Sequence, residues 1–273
     1  MIPREEAAFA DLTRKISREA GLSLDAYKDK CLKRRIAVRM RACGVHTYAD
    51  YAAVLERSPA EYELLKDAIT INVTRFYRNA ETWNLLRDTL LEEICEADGG
   101  EVRVWSAGCS SGEEPYTVAV LIADYFDRHG RSDRLTKVTV DATDIDRESL
   151  ERAQAGSYRR EALTDLPAGL LSRYFEEDGA GYRVFERVRR QVFVRPLDLN
   201  TQPPPRGHYH LILCRNVVIY FGRPTQERLF LAFAEALAPG GILVLGKVET
   251  LFGPARDRLT LLDPRERVYR RTA

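Results

Sequence analysis

The second part of the chain alternates strand-like and helix-like segments, and this alternation limits the fold more than any other feature. From about residue 98, apolar and β-branched runs such as VRVW, KVTVDATD, HLILC and GGILVLG are separated by helical patterns such as PYTVAVLIADYF and TQERLFLAFAEAL. Strands that alternate with helices form parallel βαβ units with right-handed crossovers. We therefore predict an α/β domain over residues 76–273.

The first part of the chain, residues 1–75, is predicted to be an all-helical domain. Apolar residues recur there at helical spacing, and residues typical of helix starts lie between the segments. We expect a second helix from about Asp25 to Arg41, a third helix that Thr47 caps, and a fourth that begins at Pro59.

The segment from about 172 to 195 interrupts the α/β pattern. It contains the run RYFEEDGAGYRVFERVRRQVFV, in which a Gly-Ala-Gly turn signal lies between strand-like residues, among them Val188, Val192 and Val194. We predict a small antiparallel β insertion at this place.

Composition argues against several classes of protein. The 273 residues carry a net charge of +1, so the overall charge does not indicate a nucleic-acid-binding protein. Five cysteines, an odd number without a C-x-x-C pair, argue against a disulfide framework or a zinc site. The N-terminus is charged, and the longest apolar stretch, near VAVLIADYF, is too short to span a bilayer. We predict a cytoplasmic protein that is not inserted in a membrane and binds no metal.

The loop after the first predicted strand carries the main functional signal. The segment reads EVRVWSAGCSSGEEP, and its small residues from 106 to 112 would let a ligand approach the backbone closely, with Pro115 as the first residue of the next helix. Neither of the phosphate-binding patterns G-x-G-x-x-G and G-x-x-x-x-G-K-[ST] is present, and Glu113 and Glu114 would repel a pyrophosphate. A cationic or zwitterionic ligand fits better, although the helix dipole alone also favours two acids at a helix N-terminus.

The second strand ends with another candidate ligand-binding acid. It reads KVTVDATDID, and an acid at such a place commonly binds the two hydroxyls of a ribose, which makes Asp144 the candidate. Loop and strand end together favour a nucleoside that carries positive charge and no phosphate. S-adenosylmethionine has these parts: a ribose, an adenine, a sulfonium and an amino acid tail.

Five segments make the chain similar to one known family, the CheR family of chemotaxis-receptor glutamate methyltransferases. They are ITINVTRFYRN, VRVWSAGCSSGEEPYTVAV, ATDID, LILCRNVVIYF and APGGILVLGKVE, which follow the family's order and spacing. The resemblance covers nearly the whole chain. It implies a Rossmann-like S-adenosylmethionine-dependent methyltransferase domain with a small antiparallel β insertion, preceded by an all-α domain that docks to the receptor.

The resemblance also implies roles for individual residues. Arg78 is expected to pair with the cofactor carboxylate as a fork, Glu113 with its ammonium group, and Asp144 with its ribose. Asp198 and Leu199 correspond to the segment that lines the adenine, although Asp198 stands where the family usually has Asn. Further residues expected near the cofactor or the transfer site are Asn72, Thr74, Arg215 and Asn216.

The reaction that the resemblance implies is methyl esterification of receptor glutamates, with S-adenosylhomocysteine as the product. Tyr220 is the candidate for orienting the acceptor, and Arg78 is the second residue expected to be catalytic. A glutamate with a reference pKa of about 4.3 is already ionised at neutral pH, so no general base is expected. Two alternatives stay open: a methyltransferase of the same fold with another signalling-protein or small-molecule acceptor, and a non-catalytic module that binds the cofactor or its product.

Two regions are expected to contact a receptor. The helix over about 28–41 is rich in basic residues, and a basic face would steer docking onto acidic receptor helices. Its basic residues are Lys28, Lys30, Lys33, Arg34, Arg35, Arg39 and Arg41. A solvated helix exterior or a nucleic-acid patch remains the alternative for this helix. The β insertion could offer an edge strand to a receptor tail.

Overall fold

The chain divides into a helical unit and an α/β unit. The helical unit comprises residues 1–72 and 220–226, and the α/β unit comprises residues 73–219 and 227–273. Within these units, the computed structural model describes residues 4–20, 24–69 and 74–272.

Four helices form most of the described part of the helical unit, and two of their predicted starts are confirmed. They are α1 (Arg4–Ala20), α2 (Asp29–Ala42), α3 (Tyr48–Arg57) and α4 (Pro59–Ile69). The Thr47 hydroxyl accepts a hydrogen bond from the Asp50 amide at 3.1 Å, which caps α3, and Pro59 is the first residue of α4. The predicted start of α2 at Asp25 is wrong, because the chain first forms a 3₁₀ turn there and Tyr27 pairs in an isolated β-bridge with Phe221.

A buried carboxylate ties α4 to α2 and α3. Glu61 accepts hydrogen bonds from Nε and Nη2 of Arg39 at 2.9 and 2.7 Å, and from the Tyr51 hydroxyl at 2.8 Å. The hydrogen bonds from Arg39 lower the pKa of Glu61, so the carboxylate stays charged at neutral pH. The apolar side chains buried in this unit include Leu12, Ile16, Leu32, Ile36, Leu55 and Leu65.

The α/β unit contains strands and helices in the alternation that the sequence predicts. In chain order they are α5 (Ala80–Leu85), α6 (Leu91–Glu96), β1 (Val102–Ala107), α7 (Glu113–Arg128), β2 (Val138–Asp144), α8 (Arg147–Ala155), β3 (Ser157–Arg159), α9 (Ala168–Tyr174), β4 (Phe175–Asp178), β5 (Gly181–Val184), α10 (Glu186–Arg189), β6 (Val192–Pro196), β7 (Tyr209–Cys214), α11 (Arg223–Ala236), β8 (Leu237–Leu245), β9 (Leu259–Asp263) and β10 (Val268–Arg271). Helix α11 starts within the residues of the helical unit. A π-helical turn, Leu86–Leu90, joins α5 to α6.

Seven strands form the main sheet, in the order β6-β2-β1-β7-β8-β10-β9. The first five strands of this order pair in parallel, and β10 pairs antiparallel with both β8 and β9. The predicted α/β fold with an all-α N-terminal part is confirmed. Because the chain moves from β1 to β2 on one side and later adds β7 on the other, a crevice opens at the carboxyl end of β1.

A second, three-stranded antiparallel sheet has the order β3-β5-β4 and confirms the predicted insertion in kind. Its extent differs from the predicted 172–195. Val188 lies in α10, and Val192 and Val194 lie in β6, which pairs in parallel with β2 at the edge of the main sheet. An edge strand has one neighbour and is partly exposed, so its sequence has the same alternating pattern as a strand of a small antiparallel sheet.

Candidate functional site

The loop between β1 and α7 follows the crevice and has a tightly constrained backbone. Gly108 and Gly112 have φ of +85° and +97°, in the left-handed region that favours glycine. A Cβ atom would lie 2.4 Å from Val217 Cγ2 at Gly108 and 2.7 Å from the Tyr158 hydroxyl at Gly112. The loop therefore requires glycine at both positions. Helix α7 already begins at Glu113, directly after the loop, so the prediction of Pro115 as its first residue is wrong.

Glu113 places a carboxylate at the start of α7. The side chain is buried, and its Oε2 accepts a hydrogen bond from the Ser111 hydroxyl at 2.8 Å. Burial raises the pKa of Glu113. The hydrogen bond from Ser111, a backbone amide, the charge of Arg152 and the hydrogen bond from Thr74 oppose that rise. The carboxylate oxygens can also accept from a cationic ligand.

Asp144 ends β2 and supports the same loop. Its Oδ2 accepts from the Ser110 amide at 2.8 Å, and its Oδ1 accepts from the Ile145 and Asp146 amides at 2.7 and 3.0 Å. Burial raises the pKa of Asp144, and these amides oppose the rise. The Ser110 hydroxyl is buried and has no hydrogen-bond partner among the residues that the structure describes. A carboxylate beside an unpaired hydroxyl fits the hydroxyl groups of a sugar.

The turn that carries Arg78 is held in a strained conformation by Arg215. Tyr77 and Asn79, on either side of Arg78, have φ of +58° and +61°. Arg215 Nη2 donates to the Arg78 carbonyl oxygen at 2.8 Å and to Asn79 Oδ1 at 3.0 Å. The Arg215 guanidinium also lies 5.2 Å from the centroid of the Trp83 ring. These contacts give Arg215 a supporting role in the turn that carries Arg78.

Glu114 provides the opposite charge for Arg215. Its Oε2 lies 3.4 Å from Arg215 Nη1, and its Oε1 accepts from the Ser106 hydroxyl at 2.8 Å. Burial raises the pKa of Glu114, whereas the charges of Arg215 and Arg78 lower it. The pKa of Arg215 is lowered by burial, and the charge of Arg78 adds to that effect. Arg78 therefore lies close enough to Glu114 and Arg215 for its charge to affect the pKa of each.

Asn216 follows β7, and its backbone amide is held by the Glu249 carboxylate. Asn216 also has a left-handed backbone, with φ of +61°. Glu249 is 3% exposed, and its carboxylate accepts from the backbone amides of Gly246, Asn216 and Ile219 at 2.6, 3.0 and 3.2 Å. Ser110 shares the left-handed conformation, with φ of +49°. Strained residues held by their surroundings cluster at functional sites, and they do so here.

The remaining predicted site residues have different positions. The Leu197 amide donates to the Asp144 carbonyl oxygen at 2.9 Å, which brings Asp198 and the buried Leu199 next to the end of β2. Tyr220 belongs to the helical unit, where the Arg35 guanidinium lies 4.5 Å from the centroid of its ring. Asn72 lies outside the described residues.

The predicted residues of the α/β unit thus meet around the carboxyl ends of β1, β2 and β7. Sequence reasoning missed the supporting groups Trp83, Glu249 and Tyr158. Glu249 left a signal, since it is the acid that follows the GGILVLG strand, but nothing in the sequence indicates that backbone amides surround it.

Within residues 4–20, 24–69 and 74–272, no group of three or more His, Cys, Asp and Glu side chains could hold a metal ion. Over the same residues, no helix combines the length and the apolar character needed to cross a membrane.

Comparisons with known proteins agree with this geometry. Residues 72–267 match the family model described as CheR methyltransferase, SAM binding domain, and residues 7–70 match the model described as CheR methyltransferase, all-alpha domain. The chain is 35% identical to the chemotaxis protein methyltransferase of Klebsiella aerogenes, over 94% of this chain and 87% of that protein. It is 34% identical to the one of Listeria monocytogenes, over 96% and 97% of the two chains, and 35% identical to the one of Escherichia coli, over 94% and 88%. The predicted resemblance is confirmed, and the chain belongs to the CheR methyltransferase family.

Proposed function

We propose that this protein transfers the methyl group of S-adenosylmethionine to glutamate side chains of chemotaxis receptors and thereby forms methyl esters. The observation that carries the proposal is the arrangement of Glu113, Arg78 and Asp144 around one crevice of the α/β unit. Their charges match the ammonium, carboxylate and ribose of the cofactor. The relatives are named chemotaxis protein methyltransferases, and the resemblance to the CheR family implies a chemotaxis receptor as the acceptor.

Each polar part of the cofactor has a partner in this proposal. Glu113 accepts from the ammonium group, Arg78 donates to the carboxylate as a fork, and Asp144 accepts from the ribose hydroxyls. Asp198 and Leu199 line the adenine. The other residues that we place at the cofactor or beside it are Thr74, Arg215, Asn216 and, outside the described residues, Asn72.

The chemistry needs no acid or base from the protein. Bound S-adenosylmethionine supplies a methyl group on a positively charged sulfur. A glutamate carboxylate is ionised at neutral pH, so an oxygen–carbon bond can form while the carbon–sulfur bond breaks, and no proton moves. The residues of the site therefore orient the two reactants and exclude water. We assign the orientation of the acceptor to Tyr220 and the binding of the cofactor carboxylate to Arg78.

A methyl-transfer assay tests the function. Tritiated S-adenosylmethionine, receptor-containing membranes and the protein should give a label on the receptor that mild base releases as methanol. A label on another protein or a small molecule would favour the first alternative, a different acceptor. Tight binding of S-adenosylhomocysteine without any label would favour the non-catalytic module.

We further propose that an exposed basic face of α2 docks on acidic receptor helices in the cytoplasm. Arg39 binds Glu61 and Arg35 is buried, so neither is available on the surface. Lys30, Arg34 and Arg41 are exposed on one face and form no ion pair within the described part of the chain. Such a face would raise the rate of encounter with an acidic partner.

Charge reversal on this face should weaken receptor methylation without altering cofactor binding. We expect the variant Lys30→Glu, Arg34→Glu, Arg41→Glu to raise the receptor KM about tenfold at low salt, with a smaller difference at high salt. The matched control reverses three exposed charges of the α/β unit, in Lys137→Glu, Arg256→Glu, Arg265→Glu. Equal receptor KM values for the two triple variants would exclude the α2 face as the docking surface.

The three-stranded sheet is the second receptor contact that we propose. Both of its outer strands, β3 and β4, have one neighbour in the sheet, so either edge could pair with an extended peptide. Titration of receptor tail peptides into the protein tests this contact independently of catalysis.

Binding of S-adenosylhomocysteine is expected to weaken as the pH falls through the raised pKa of Glu113. Burial holds that pKa above its ordinary value of 4.5, and an ammonium group favours the ionised carboxylate, so binding in acid releases a proton. The affinity for S-adenosylhomocysteine is therefore full above the pKa that Glu113 has in the ligand-free protein, and it is lost as the pH falls below that value. Calorimetry at several pH values checks this, with 5′-methylthioadenosine as the control ligand because it lacks the amino acid tail. The same pH dependence for both ligands would contradict the role of Glu113.

A further inference from the structure

The three-stranded sheet reaches directly into the loop that precedes α7. Tyr158 lies on β3, and its hydroxyl donates to the Ser111 carbonyl oxygen at 2.8 Å. The Ser111 hydroxyl in turn donates to Glu113 Oε2 at 2.8 Å. Tyr158 of this sheet is therefore hydrogen-bonded to Ser111, and Ser111 is hydrogen-bonded to the Glu113 carboxylate.

The same sheet also holds the turn that carries Arg78. The Phe76 amide donates to the Ala162 carbonyl oxygen, in the segment after β3, at 2.9 Å. The Phe76 ring packs edge-on against Tyr158 and Phe175, with centroid distances of 4.8 and 5.3 Å. Phe76 lies two residues before Arg78. The two residues assigned to the amino acid tail, Glu113 and Arg78, are therefore both supported by contacts with the three-stranded sheet.

These contacts leave little freedom for the three-stranded sheet or the loop before α7 to move independently. Tyr158 is 7% exposed, and its hydroxyl already occupies the space where a side chain at Gly112 would begin. A buried aromatic in such close contact transmits a shift of β3 to the loop. Any ligand that orders the loop must then also order the sheet, and the coupling is reciprocal.

We propose that Tyr158 is a positioning residue for the amino acid tail of the cofactor, and that cofactor binding and order in the three-stranded sheet favour each other. This rests on the proposed S-adenosylmethionine site. Through Ser111 and Glu113, the Tyr158 hydroxyl fixes the ammonium partner, and its ring supports the turn of Arg78. At the adenosine end of the site, the Asp144 carboxylate accepts from the Ser110, Ile145 and Asp146 amides and not from Tyr158.

The test compares two ligands on the variant Tyr158→Phe. Titration calorimetry should show that S-adenosylhomocysteine binds about three- to tenfold more weakly than to the unaltered protein, the loss expected for one hydrogen bond. Binding of 5′-methylthioadenosine, which lacks the amino acid tail, should change less than about twofold, because it makes no contact that this hydrogen bond supports. Tyr209→Phe is the control, since its buried hydroxyl donates to Asp141 Oδ2 at 2.8 Å and Tyr209 begins β7, at the end of the strand opposite the loop.

Hydrogen exchange supplies the second measurement. S-adenosylhomocysteine should slow amide exchange in residues 157–159 and 175–184 of the unaltered protein, and less so in Tyr158→Phe. Unchanged affinity for S-adenosylhomocysteine in Tyr158→Phe, or an equal loss for both ligands, would overturn the positioning role. Failure of the unaltered protein to bind either ligand would instead overturn the cofactor site itself, and the inference with it.

Discussion

Replacing Glu113 by glutamine is expected to weaken S-adenosylhomocysteine binding about 100-fold, or about 2.7 kcal/mol. The amide has nearly the shape of the carboxylate but no charge, so the variant loses the electrostatic attraction to the ammonium group. The effect is large because Glu113 is 5% exposed, and in such a site a lost charge partner costs far more than at the surface.

The Glu113→Gln experiment has two controls. Glu151→Gln makes the same chemical change on the exposed side of α8 and should leave the affinity unchanged. The ligand 5′-methylthioadenosine should bind Glu113→Gln as it binds the unaltered protein. An affinity of Glu113→Gln for S-adenosylhomocysteine within a factor of about two of the original would mean that the ammonium group lies elsewhere.

Replacing Glu249 by glutamine is expected to lower the free energy of unfolding by about 3 kcal/mol and to abolish most methyl transfer. Both oxygens of Glu249 accept from backbone amides, those of Gly246, Asn216 and Ile219, with a further hydrogen bond from the Val217 amide. Glutamine would point an amino group at some of these donors, which leaves buried N–H groups unpaired. The segment that carries Asn216 would then lose its anchor.

Urea unfolding measures the effect of Glu249→Gln, and initial rates at saturating cofactor measure its effect on catalysis. Glu235→Gln is the control, because that carboxylate is exposed and, within the described residues, pairs only with Arg258. An unfolding midpoint that does not shift would show that the amides find other partners. Loss of rate without loss of stability would instead indicate that Glu249 contacts a reactant.

Features that are encoded by neighbouring residues could be predicted from the sequence. The order of strands and helices after residue 98 follows from local patterns, and so do the starts of α3 and α4. Glu113 and Asp144 could be singled out because the carboxyl end of a parallel strand is where such folds bind ligands. The resemblance to the CheR family extended this list to Arg78 and the residues near it.

Features that depend on distant pairing could not be predicted. Whether Val192 and Val194 join the main sheet or the small one depends on which strand they meet, and β2 lies far back in the chain. The contact of Arg215 with the Arg78 carbonyl oxygen joins residues 137 positions apart, and that of Tyr158 with Ser111 joins residues 47 positions apart. The sequence likewise shows that α2 is basic. It does not show which basic residues form ion pairs within the fold, as Arg39 does with Glu61.

The left-handed residues around the crevice also limit how the protein could be made more heat-resistant. Tyr77, Asn79, Ser110 and Asn216 each keep a backbone conformation that costs about 1 kcal/mol or more for a residue with a side chain. Glycine would relieve that cost but would remove the side chain and loosen the turn. Thermostabilising substitutions should therefore be sought on the far sides of the helices, where relaxing the chain does not change the shape of the crevice.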